Sequence, residues 1–191
     1  MAKEKKQKQI LPKLTLNQCY DKVLGLDVSL TGTGWCKTGQ DTTMWNSGVI
    51  ETKGMLGHER KQFILDNIKT KLDKNMLVII EGYSFASKGS SIIQIAEMGG
   101  IIRHYLFQNG YKYIEIAPTT LKKYATGKGN TDKALVLKEV YKNWKMDFFD
   151  DNECDAFVLG AIGKELLESN DFLKAYQKEV IKQIKELNNL A

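Results

Sequence analysis

Two carboxylates stand where strands should carry no charge. Asp27 sits inside the stretch Leu24-Gly25-Leu26-Asp27-Val28, whose apolar residues alternate as in a half-buried strand. Glu81 follows Leu77-Val78-Ile79-Ile80, a continuous apolar run of the kind shown by a strand covered on both faces. A third acidic element is Asp150-Asp151-Asn152-Glu153-Cys154-Asp155. A helix start explains Asp150 and Asp151, because the macrodipole there favours negative charge. It does not explain Asp155. At about 100° per residue, Asp151 and Asp155 share a side with Val158, Leu159, Ile162 and Leu166, the face the helix should bury. A carboxylate on such a face is costly unless paired or bound to metal. Both arginines, Arg60 and Arg103, lie elsewhere in sequence. A divalent cation is the simplest partner. Oxygen-only donor sets suit Mg²⁺ or Mn²⁺, and paired ions of this type support phosphodiester hydrolysis.

The elements that must position these acids follow from periodicity. Strands are expected over Val23–Val28, from Trp35 after the glycine-rich turn Ser29–Gly34, over Met44–Ile50, over Leu77–Ile80 and over Tyr113–Ile116. Helices are expected over Glu59–Leu72, Ser91–Gln108, a short stretch after Pro118, Thr131–Trp144 with Thr131 as N-cap, and Asn152–Leu167. A final helix carries Leu173, Tyr176, Val180, Ile184 and Leu187 at three- and four-residue spacing, a stripe that suits packing on its own domain or a dimer interface. Three leading strands followed by alternating helices and strands give an α/β chain with a mixed sheet covered by helices. Residues 1–20 are expected as a basic arm, 21–168 as the domain and 169–191 as the terminal helix.

Composition narrows the class. The 191 residues are 42% hydrophobic and 27% charged, enough to bury a core without staples. No apolar run is long enough to span a membrane, and the first twenty residues hold no signal-peptide core, so a cytoplasmic protein is expected. Three cysteines without a CxxC pair and two histidines exclude a disulfide framework or a zinc cluster. Of the net charge of +5, residues 1–13 carry +4, leaving the rest nearly neutral. Only two of 28 basic residues are arginine, which argues against base reading and for lysine-to-phosphate contact. The loop Gly127-Lys128-Gly129-Asn130 adds a further basic site.

With these residues in view, the chain resembles the RuvC-type Holliday-junction resolvases of the RNase H-like superfamily. The resemblance runs from about Val23 to Gly163, through Leu24–Gly34, Ile79-Ile80-Glu81-Gly82-Tyr83-Ser84-Phe85, Pro118 through Gly127-x-Gly129-x-x-x-Lys133, and Asp151–Ala156. It implies an RNase H-like five-stranded sheet and a metal-dependent endonuclease that uses Mg²⁺ (Mn²⁺ substituting). It also implies a homodimer that nicks two strands of a four-way junction or related branched DNA, with no small-molecule cofactor. Asp27, Glu81 and Asp155 match three of the family's metal-binding acids. The fourth position holds Asn152; Asp151, one residue earlier, is the favoured fourth ligand, with Asn152 as the alternative. Lys122 and Lys133 match lysines placed near the scissile phosphate, and Tyr83 or Phe85 matches an aromatic that contacts junction bases.

Two other readings remain open at this point. Sugar kinases and actin-like ATPases also begin with a Gly-x-Asp strand and a Thr-Gly-rich hairpin, but need two such domains. A catalytically weak junction-binding protein would tolerate the displaced fourth acid. The charge distribution makes its own prediction: removing residues 2–13 should flatten the slope of log affinity against log salt without changing cleavage chemistry. An unchanged slope in a salt titration of DNA binding would show that these lysines touch no phosphate.

Overall fold

The computed structural model describes residues 13–16, 19–40, 42–83, 90–168 and 172–191. Five strands form one mixed sheet: β1 (Lys22–Asp27), β2 (Gly32–Gly39), β3 (Trp45–Glu51), β4 (Met76–Glu81) and β5 (Lys112–Ile116). Their order is β3-β2-β1-β4-β5, with β1–β2 and β2–β3 antiparallel and β1–β4 and β4–β5 parallel. The helices are α1 (Gly57–Lys69), α2 (Ser90–Gln108), α3 (Pro118–Thr126), α4 (Lys133–Trp144), α5 (Asp151–Leu167) and α6 (Ala175–Leu187). This is the expected α/β, RNase H-like arrangement.

Period-two alternation divides the core between the two faces of the sheet. Leu24, Leu26, Met76, Val78 and Ile80 pack with Ile64 and Ile68 of α1 and Met98, Ile102 and Leu106 of α2. Val23, Leu77, Ile79, Ile114 and Ile116 face the other way, onto α5 and the layer of α3, α4 and α6 behind it. The same parity sends Gly25, Asp27 and Glu81 toward α5. The helix wheel predicted one buried face for α5; the structure buries nearly its whole circumference, from Cys154 through Leu167, because it lies between the sheet and three other helices.

Glycines set how closely α5 approaches. A Cβ on Gly25 would collide with the backbone of Ala156 and Gly160, and a Cβ on Gly34 with the Asn152 carbonyl. The first turn of α5 therefore rests directly on β2, and its middle on β1.

Boundaries differ in small ways. The N-cap of α4 is Asp132, not Thr131: its carboxylate accepts from the Leu135 N–H at 2.7 Å, a charge-assisted cap stronger than a hydroxyl's. Residues 1–12, within the expected basic arm, lie outside the described residues. Nearer the domain, Leu16 is buried and Leu14 forms a parallel bridge with Leu190, with its N–H donating to the Asn189 carbonyl at 3.1 Å and its own carbonyl accepting from Ala191 at 3.0 Å. Leu14 and Leu16, both inside the span expected as the arm, thus contact the domain. Helix α6 packs Val180, Ile181 and Ile184 into the core beside α3 and α5.

If the glycine seating is what places α5, Gly34→Ala must push its first turn off the sheet, at a cost of about 2–3 kcal/mol. The expected result is a clearly lowered Tm, against Gly100→Ala in α2, where open space surrounds the added methyl and Tm should hold or rise. Equal melting of Gly34→Ala and wild type would refute the close approach.

Candidate active site

Asp27 and Glu81 end β1 and β4, adjacent parallel strands in which Leu26 pairs with Ile80 one step earlier. They therefore stand side by side on the α5 face at the carboxyl end of the sheet, where ligands of α/β sheets collect. Asp27 is buried. Its carboxyl is raised well above the usual range by burial first, then by the charge of Glu81 and a hydrogen bond with it. Burial also raises Glu81, although the hydrogen bond with Asp27 works the other way there. Asp155, carried on the second turn of α5, is raised to about 7 by burial and then by Asp27.

Two lysines oppose this crowding. Both Lys122 and Lys133 lower the carboxyls of Glu81 and Asp155. The sequence places both arginines away from the acids, but α3 and α4 bring in lysines that are distant from them in sequence. Lys122 donates to the Thr131 carbonyl at 2.9 Å, and Lys133 is ion-paired with Asp151. Lys128 is exposed on the glycine loop, which the Thr126 hydroxyl ties down by accepting from the Lys128 N–H at 3.1 Å.

The fourth-acid candidates separate. Asp151 turns onto Lys133. The Asn152 amide nitrogen lies over Gly32, about 3.5 Å from where a Cβ there would be. Asp150, read from sequence only as a dipole partner, caps α5 by accepting from the Asn152 and Glu153 N–H groups at 2.8 and 3.1 Å, and its charge also raises Asp27.

Arg103 was missed as well. Buried in α2, it donates to the Glu81 carbonyl oxygen at 3.1 Å and the Glu115 carboxylate at 2.9 Å, and its guanidinium lies 4.3 Å from the Tyr83 ring centroid. Tyr83 donates its hydroxyl to the Ala96 carbonyl at 3.2 Å. The signal was available: Arg103 follows the buried Ile102 and lies within a helical stripe. Phe85 lies outside the described residues.

The donor chemistry fits a hard divalent cation, because buried carboxylates that raise one another supply oxygen and unbalanced negative charge. As they stand, no three His, Cys, Asp or Glu side chains among the described residues are gathered closely enough to hold an ion. Burial instead favours the protonated form of both Asp27 and Glu81. Cys154 beside them is no thiolate donor, since burial, then Asp155 and Glu153, push it up to about 12.

A mixed sheet with acids at neighbouring strand ends and a third acid on the overlying helix defines an RNase H-like protein. Residues 23–157 match the model of the family described as crossover junction endodeoxyribonuclease RuvC. A RuvC of Caldicellulosiruptor saccharolyticus is 31% identical over 62% of this chain and 76% of its own. One from Gloeobacter violaceus is 26% identical over 76% of this chain and 88% of its own. Thermus thermophilus RuvC, solved in complex with a Holliday junction substrate, shares the fold at a TM-score of 0.60 and 16% identity, covering 74% of this chain and 91% of that one. The chain belongs to the RuvC family.

The raised carboxyls make a stability prediction. An unfolded aspartate titrates near about 3.9, so between there and about 7 the folded chain keeps a proton on Asp155 that the unfolded chain releases. Stability from neutral Asp155 is full below about pH 4 and is lost as pH rises through about 7. In EDTA, Asp155→Asn should melt above wild type at about pH 8 and converge with it near pH 4. A variant melting lower at pH 8 would mean that the carboxylate is satisfied, not strained.

Proposed function

We propose that this protein is a structure-selective endonuclease that hydrolyses phosphodiesters in branched DNA, four-way junctions above all, with Mg²⁺ or Mn²⁺ as cofactor. The supporting observation is the meeting of Asp27, Glu81 and Asp155 at one strand-end site rimmed by Lys122 and Lys133, in a chain whose family is described as crossover junction endodeoxyribonuclease. Asp27, Glu81, Asp155 and Asp151 would hold the metal. When bound, it supplies an activated water and stabilises charge on the leaving oxygen.

The chain's own groups do the rest. Asp27 and Glu81, whose protonated forms burial favours, would release that proton to water on holding a cation. Lys133, released from Asp151, turns its ammonium to the scissile phosphate, and Lys122 stays anchored at Thr131. Lys128 meets a neighbouring phosphate from the exposed loop. Tyr83, held against α2 by the Arg103 guanidinium and the Ala96 carbonyl, offers a fixed edge to bases. Lysine predominates over arginine, so the protein reads shape and backbone more than sequence. Two copies in a homodimer place two such sites on two strands, giving paired nicks.

The test is cleavage of labelled four-way junction and linear duplex in Mg²⁺, Mn²⁺ or EDTA. Wild type should nick the junction symmetrically and only with metal. Asp27→Asn, Glu81→Gln and Asp155→Asn should each lose about a hundredfold or more in rate while junction affinity holds. Wild-type-like nicking by any one of them would sink the assignment. Lys133→Ala should slow cleavage more than it weakens binding. Across a Mg²⁺ titration Asp151→Asn should move the midpoint and Asn152→Ala should not; the reverse order would make Asn152 the ligand.

A further inference from the structure

Single exposed apolar side chains are ordinary on protein surfaces, but Phe149 is not placed like the others. Its ring is wholly exposed, at 101% of the reference area, while the chain on both sides is fixed. Phe148 is buried against Phe157, ring centroids 5.2 Å apart, in an aromatic cluster that continues to Trp45 and Trp144. Asp150 is held by the two hydrogen bonds that cap α5. With both neighbours pinned in this way, the intervening residue cannot turn inward. Its position is next to the acids in the chain: it immediately precedes Asp150, the N-cap of α5, whose first two turns carry Asp151 and Asp155.

We propose that Phe149 is a stacking platform for a nucleobase that flanks the phosphate held at the acid site. This rests on the branched-DNA reading above and adds to it a residue that recognises the branch. The chemistry around the ring selects the occupant. Lys122 and Lys133 supply the cations for a phosphate, and the only group a nucleotide adds that suits a bare phenyl face is its base. Bases inside an intact duplex already stack on both faces, whereas a branch point frees one. Stacking of a base on an aromatic side chain is independent of sequence and is strong enough to decide affinity. A ring on a rigid loop also loses little entropy on binding.

The experiment compares wild type, Phe149→Ala and Phe149→Trp on four-way junction and linear duplex in Ca²⁺, with 2-aminopurine at the branch nucleotides. Phe149→Ala should weaken junction binding by about tenfold, weaken duplex binding by less than twofold and abolish quenching of the branch 2-aminopurine. Phe149→Trp should restore both. Thermal melts should coincide, since an exposed ring contributes nothing to the core. Junction affinity and quenching of wild-type size in Phe149→Ala would overturn the proposal while the branched-DNA reading stands. Equal weakening on junction and duplex, in a chain whose wild type shows no junction preference, would keep the stacking role and overturn that reading. Loss of a dimer on sedimentation with DNA affinity intact would assign the ring to a protein interface and overturn the proposal.

Discussion

The seating of α5 on the sheet is the contact on which the site depends. Three acids must come from two strands and a helix, and their separation is set by how near the helix axis lies to β1 and β2. Gly25 and Gly34 remove the side chains that would hold it off. The helix then meets backbone with backbone, which leaves no soft layer to absorb error. The parity of β1 and β4 delivers Asp27 and Glu81 to the same face, and the second turn of α5 delivers Asp155 to them.

Such a site works against the fold that holds it. Buried carboxylates repel, and the chain relieves the repulsion by favouring protonated carboxyls and by bringing two lysines to the rim. The surrounding core is correspondingly heavy: α5 is buried on nearly every side and four aromatic rings pack beneath the loop that opens it. The core tolerates this local strain, which a cation held there, as proposed above, would relieve.

The strands were legible because alternating and continuous apolar runs are written directly in the order of residues. So were the three acids, which break those runs or the helix face. Contacts between distant segments were not. Nothing in the spacing of Lys122 and Lys133 shows that α3 and α4 fold back over the acids. Arg103 was set aside as remote, although it clamps the Glu81 backbone and the Tyr83 ring. Asp132 displaced Thr131 as a cap because local sequence offers both and only the backbone angles choose. Phe149 gave no sequence signal at all, since its neighbour Phe148 has the same side chain and the opposite fate.

The bridge between Leu14 and Leu190 ties two segments that lie far apart in sequence, and each lends the other backbone partners that neither has in a helix or in the sheet. Loosening either segment strips hydrogen bonds from the other, so the two edges fray together or hold together.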